Sequence, residues 1–407
     1  MNASVPLSSV ADVIRGVTFT ASEVRSKPTE GTLPILRAGN IGDALEIARD
    51  LVWVDAAVVS AQQRMQVGDL AICMSSGSAR IVGKSAVLTE TFDGSVGAFC
   101  AIVRPSGEVD SSYLGQYLRS PTFWSWRDDA ARGVGIQNLK VSDLQRLPVQ
   151  VPPLDEQRRI AARLRDQLAD VGLVAAAAQA RIDQMNSMAQ QAIDAAIPAS
   201  DAIALGNTLR APLRTGLSRA ASATANHRVL TLSSVRNGVL DVGQNRPMDA
   251  TGDEALANAV RPSTFYVVRG NGSLHMAGAG ALSPQSSDGV VLYPDLLIQV
   301  DPDPALLSVD FLALAWRSRR VRYQVEARLR TSAGIHKINL ANLSTVEVPT
   351  PPLDDQRRIA ARLHGQLAEI DRAKAALNAQ RRAVDALPAA LLREVFGPAH
   401  SCATAGG

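Results

Sequence analysis

The sequence predicts an α/β (α+β) protein in which two mixed α/β domains are separated by a long antiparallel two-helix coiled coil, the whole a pseudo-two-fold internal repeat. Three observations carry this. The segment Pro152–Leu164, PPLDEQRRIAARL, returns at Pro351–Leu363 as PPLDDQRRIAARL, with twelve of thirteen positions identical at an offset of 199. Each copy opens a stretch of roughly 40 residues that is almost free of Gly and Pro and carries apolar residues at three- and four-residue steps. Ahead of each lies a segment rich in Gly, Ser and Val with short apolar runs and turn signals. The expected order is a first globular domain over residues 1–149, a first helix over 150–197, a second globular domain over 198–349, a second helix over 350–397, and a flexible tail over 398–407.

The globular segments read as strands broken by turns. Ala71–Met74, Gly97–Val103, Phe265–Val268 and Val290–Val300 are the apolar runs, and Val67-Gly68-Asp69 and Arg236-Asn237-Gly238 are among the turns. Fainter echoes extend the duplication upstream of the matching segments. Gly135-Ile136 matches Gly334-Ile335, Leu144 matches Leu343, and Leu118-Arg119-Ser120 resembles Trp316-Arg317-Ser318.

At each Pro-Pro the preceding element must stop, and the acidic residues that follow suit the positive end of a new helix. The first helix then shows a seam of Ile160, Leu164, Val171, Ala175, Ala178, Ile182, Met185 and Ala189. In the second, Ile359, Leu363 and Leu367 are followed by Ile370, Leu377, Val384 and Leu391 at steps of seven. Pro388 is expected to kink or restart that helix near its end. One such helix has an apolar stripe and no partner, whereas two near-identical helices supply each other. Because each follows its own domain, antiparallel pairing would put the domains at opposite ends of a rod of roughly 60 Å. Pairing with a different protein is the other use of the same stripes.

Composition fits this without deciding function. Hydrophobic residues make up 46% and charged residues 20% of the 407, which argues against disorder. The net charge is +3, with the basic excess in the second half of the chain, and suits a polyanionic partner. Cys73, Cys100 and Cys402 lie far apart, without disulfide or metal spacing, and read as small buried residues in a reducing compartment. The N-terminus has no signal-peptide pattern, and no apolar run approaches the roughly 20 residues that span a bilayer. A soluble cytoplasmic protein with no membrane partner is expected. The sequence offers no nucleophile–His–acid grouping, no metal-spaced His/Cys cluster and no phosphate loop, so no catalysis is expected of it.

A Pro-Pro-Leu, an acidic residue, Gln and then Ile, opening a long helix twice in a chain of this length, resembles the specificity subunit of type I restriction-modification systems. Other segments fit the same family: Leu36–Ile41, Val67–Leu70, Ser76-Gly77-Ser78 followed by Ile81–Lys84, and Gly135-Ile136. The second half departs from it, with no clean Gly-Asp pair or Gly-Lys equivalent, offering Arg269–Ser273 and Gly278-Ala279-Gly280 instead. The resemblance implies two target-recognition domains, each reading half of a split double-stranded DNA sequence, and a helical spacer that sets the gap. It also implies that the helices dock two methyltransferase subunits, with restriction and translocation subunits joining in full complexes. The methyl donor S-adenosylmethionine would sit in those partners, leaving this bacterial chain without a cofactor or a catalytic residue of its own.

A DNA reader needs cations for phosphate and amide or forked groups for base edges. In the first domain Arg80 and Lys84 flank a Gly/Ser loop, and Arg132, Gln137, Asn138 and Lys140 bracket the Gly133–Gly135 turn. In the second, Arg328, Arg330, His336, Lys337 and Asn339 occupy the matching place. Arg319, Arg320 and Arg322 belong to the most basic run, Arg317–Arg322, which would track phosphate, and His275 sits in a loop able to enter a groove. Each of these is also what a solvated surface carries. Trp124 and Trp126 beside Arg127 read as packing rather than as a base-stacking platform.

Three other functions fit parts of the pattern. A DNA methyltransferase would use Pro152-Pro153 or Pro351-Pro352, but that motif needs Asn or Asp before the prolines and an aromatic after; here Val151 or Thr350 precedes and leucine follows. A scaffold would use the rod for assembly and the domains for protein recognition. The recognition subunit of a type IIB-like restriction enzyme would look the same as a type I subunit.

Overall fold

The computed structural model describes residues 4–130, 138–199, 201–218, 225–286, 290–332 and 334–397. The chain forms two compact units, Met1–Ala178 with Gln380–Gly407, and Gln179–Ala379. Helix and strand are mixed in both.

In the first unit an antiparallel sheet runs in the order Ala11–Arg15, Cys100–Pro105, Leu70–Cys73, Ser85–Val87. A smaller sheet centres on Thr32–Leu36, antiparallel to Val52–Asp55 and parallel to Ser95–Val96. The second unit repeats the plan. Phe265–Val268 lies between Leu297–Val300 and Gly280–Leu282, while His227–Leu230 is antiparallel to Asn245–Met248 and parallel to Val291–Leu292. The crossing point is also repeated: a Cβ on Gly16 would lie 2.1 Å from the Gly97 carbonyl oxygen, and one on Gly216 would lie 1.9 Å from that of Tyr293. Only glycine lets the backbones meet there. The run Gly97–Val103 does not form one strand. Its strand begins at Cys100, and Ala98 and Phe99 make a turn. The run Val290–Val300 likewise divides, into Val291–Leu292 and Leu297–Val300.

The two long helices are Leu154–Ala196 and Leu353–Phe396. In the first unit, Ala161 and Leu164 near the start of the first helix share a core with Leu392 and Phe396 at the end of the second. In the second unit, Ile193 and Ile197 at the end of the first share a core with Ala360, Leu363 and Leu367 near the start of the second. Within each unit, then, the start of one long helix packs with the end of the other. Ile160 and Ile359 pack on the edges of these cores. Ile182 is buried and Val171 half-buried on the three-four stripe of the first helix, and Ile370, Leu377 and Val384 are half-buried on that of the second. The second helix passes through Pro388 without a restart. A proline removes one helical hydrogen bond, and here Leu391, Leu392, Val395 and Phe396 beyond it are held in the core of the first unit. Among the described residues no helix is long and apolar enough to cross a membrane.

The near-identical segment has a physical reason that the sequence pattern did not expose. Gln157 is fully buried; its Oε1 accepts from the Asp110 N–H (2.8 Å), and its Nε2 donates to the carbonyls of Glu108 (3.0 Å) and Pro152 (2.7 Å). Gln356 does the same with the Ser308 N–H (2.8 Å) and the carbonyls of Leu306 (2.9 Å) and Pro351 (2.8 Å). Each glutamine therefore latches the first turn of a long helix to the loop before the short helix Ser111–Tyr117 or Val309–Ala315. Three hydrogen bonds satisfy a buried amide that would otherwise be costly.

Candidate nucleic-acid interface

In the first unit the strand Leu70–Cys73 runs through Met74 and Ser75 into the turn Ser76–Gly83. The turn closes where the Gly83 N–H meets the Cys73 carbonyl (2.8 Å), with Gly83 at φ +89. Beneath it lies Arg127, only 7% exposed, which donates to the carbonyls of Ala79 (3.0 Å) and Val82 (2.7 Å), pairs with Asp128 and stacks 4.4 Å from the Trp124 ring centre. The turn is thus held from inside and presents Arg80 and Lys84 to solvent. Asn138 forms a bridge with Ser75, and the Leu139 N–H reaches the Met74 carbonyl (2.7 Å). That brings Arg80, Lys84 and Asn138 to one loop cluster, with Lys140 exposed just ahead of the helix Val141–Gln145. Arg132 and Gln137 lie outside the described residues.

The second unit builds the same place differently. Its loop, Asn271–Gly278, closes with the Gly278 N–H on the Val268 carbonyl (2.8 Å) and Gly278 at φ +72. Gly278-Ala279 is thus the counterpart of Gly83-Lys84, without the cation. The start of the loop joins a ribbon in which Ile335–Lys337 lies between Gly270–Asn271 and Arg330–Ser332. Arg330 and Lys337 are directly opposite one another, both exposed, and neither forms an ion pair among the described residues. Like charges facing across strands repel, and an anion between them turns that repulsion into attraction. The alternate face carries His336, whose Nδ1 is 3.0 Å from the Thr331 hydroxyl, and Asn271, whose Oδ1 accepts from the Ser273 N–H (2.9 Å). His275 is exposed in the same loop, its Nδ1 2.7 Å from the Ser273 hydroxyl. A cationic edge with a polar face beside it is what a ribbon needs to hold phosphates and face base edges.

A family model described as "Type I restriction modification DNA specificity domain" matches residues 2–176. The EcoKI specificity subunit of a type I restriction enzyme from Escherichia coli (strain K12) is 27% identical, over 96% of this chain and 87% of its own length. The StySPI specificity subunit from Salmonella potsdam is 26% identical, over 97% of this chain and 88% of its own. Over nearly its whole length the chain is similar to type I restriction enzyme specificity subunits. Solved structures share the fold. A chain from a type I restriction-modification assembly superposes with a TM-score of 0.73 at 16% identity, covering 97% of both chains. The HsdS subunit from Thermoanaerobacter tengcongensis gives 0.53 at 16% identity, covering 97% of this chain and 96% of its own.

In the basic run Arg317–Arg322, Arg319 and Arg320 are exposed and Arg322 half-buried, and all three also make contacts within the chain. Arg319 pairs with Asp194 (3.4 Å), and the Arg319 N–H also donates to that carboxylate (2.8 Å). Arg320 donates to the Ala199 carbonyl. Arg322 pairs with Glu326 (2.7 Å) and donates to the Leu274 carbonyl (2.7 Å), supporting the loop from beneath together with the Trp316 indole N–H on the Gly278 carbonyl (2.9 Å). Arg317 is half-buried, and burial pulls its pKa below the ordinary value against the opposing pull of Asp371. Arg328 is likewise occupied, by Thr345 (2.9 Å) and the Gln324 carbonyl (3.0 Å), and Asn339 caps the helix Leu340–Ser344. Asp69, expected as part of a family motif, is 2% exposed and held by both sides of the Arg104 fork (2.9 and 2.8 Å), a structural pair that raises the Arg104 pKa. Its place in the second unit is taken by Ser263-Thr264, with Ser263 at φ 47. Cys73 and Cys100 are buried cross-strand neighbours, and Cys402 lies outside the described residues.

Proposed function

We propose that this chain is a non-catalytic specificity subunit and reads a bipartite DNA sequence, one half with each globular part. Arg80, Lys84, Asn138 and Lys140 serve the first half-site, and Arg330, His336, Lys337 and His275 the second. The helical pair sets the gap between the halves and docks two methyltransferase subunits, which hold S-adenosylmethionine. Restriction and translocation subunits join the same assembly in the cytoplasm. The observation that carries this reading is the repetition of one latch and one loop position in both halves, with different side chains exposed at that position. A duplicated frame with divergent tips suits two different readings made by one chain.

The test is reconstitution of the full chain with its methyltransferase and long-read mapping of methylated bases. A single split sequence is expected, and replacing residues 1–149 by another such segment should alter one half only. An unaltered target after that exchange would defeat the modular reading. Isothermal calorimetry of the chain alone with S-adenosylmethionine should give no heat; saturable binding would put the donor site in this chain.

A further inference from the structure

The feature left over by these assignments is Phe99. Its ring is 70% exposed, although its neighbours Val96 and Cys100 are buried. The turn is rigid: its carbonyl accepts from the N–H groups of both Met74 (2.8 Å) and Ser75 (3.1 Å), and the Cys100 N–H closes on Gly97 (2.8 Å). The backbone therefore holds a phenyl ring out in water, which an apolar side chain does not favour.

The surroundings say what the ring suits. Phe99 lines a cleft of about 870 Å³ whose wall includes Ser75, Ser76 and Gly77, the start of the turn that carries Arg80 and Lys84. Arg37, exposed, lines the same cleft, and Asn138 bridges Ser75. An apolar protein surface would match the ring and leave the cations unmatched. Duplex DNA matches both, since phosphates flank grooves whose base edges include the thymine methyl group. At the corresponding position in the second unit the carbonyl, which accepts from the Arg269 N–H (2.7 Å), belongs to Leu296, which is half-buried.

We propose that Phe99 enters a groove of the DNA bound by the first globular part and sets the preference at one or two base pairs through apolar contact with their edges. This rests on the function proposed above. The experiment compares wild type, Phe99→Ala and Phe99→Leu as full complexes with the methyltransferase, by methylation mapping and by DNA affinity at several salt concentrations. Phe99→Ala is expected to melt like wild type, because the ring is exposed. It should relax one or two positions confined to one half of the target, weaken binding to the wild-type site about tenfold, and leave the salt dependence unchanged. Phe99→Leu should lie between.

A wild-type target retained at every position by Phe99→Ala overturns the proposal alone, as does a uniform loss of affinity across all sequences. If the wild-type complex methylates no split sequence, the parent reading fails and takes this one with it.

Discussion

In the first copy of the repeat the loop after the central strand is Ser76–Gly83; it rests on Arg127, carries Arg80 and Lys84, and stands near an exposed phenyl ring. In the second, the loop is Asn271–Gly278; it rests on Trp316 and Arg322 and joins a ribbon with Arg330 and Lys337 side by side. Below these loops the copies share one latch, the matched hydrogen bonds of Gln157 and Gln356. The difference shows that the repeat keeps its attachment to the helices while its exposed edge is remade with other chemistry.

The largest effect should come from breaking what the copies share. Gln157→Ala or Gln356→Ala strands three backbone partners, and each variant should lose about 4 kcal/mol in urea unfolding. Equal losses are expected, and a large inequality would show that the latches are not equivalent. The loop supports come next, and here the copies should part. Arg127→Ala removes a buried guanidinium with two carbonyl partners and should cost about 3 kcal/mol, while Arg322→Ala should cost about 1 kcal/mol because the Trp316 bond to Gly278 survives. Amide hydrogen exchange over Ser76–Gly83 and Asn271–Gly278 would report each loosening separately.

A smaller effect concerns binding. Replacing Arg330 and Lys337 by alanine should weaken DNA affinity on the order of tenfold at low salt and reduce the slope of log K against log salt by roughly 2, read by fluorescence anisotropy. An unchanged slope would remove the ribbon from the phosphate contacts.

A further effect is alkaline. Burial pushes Tyr113 and Tyr117 up to about 12, whereas the second copy has Phe311 and Ala315 in the matching places. Unfolded tyrosine releases its proton near pH 10. The stabilisation is therefore complete below pH 10 and is lost as pH rises through about 12. Melting scans from pH 9 to 12 should show this fall, and Tyr113→Phe should flatten it.

The helices and the duplication were legible because their signals are local and repeated: apolar residues at heptad steps, prolines at the start and one nearly unaltered segment. The strands were legible as apolar runs, but their ends were not, since Phe99 inside Gly97–Val103 reads as core until the turn at Ala98 is seen. The arginines Arg319, Arg320, Arg322 and Arg328 give no sign in sequence of their contacts within the chain. Their partners Asp194, Ala199, Leu274 and Thr345 sit from 17 to 125 residues away, where no local pattern finds them. The glutamine latches were hidden for a related reason: a Gln between acidic residues and two arginines looks solvated, and only the fold buries it.

The latch also makes an exchangeable socket. What Gln157 grips is main chain throughout, a peptide N–H and two peptide carbonyls, and Gln356 grips the same three kinds of group. Nothing in that grip depends on which side chains the adjoining loop carries. A foreign head that offers the same three backbone groups would therefore seat on either helix, whatever side chains its loops carry.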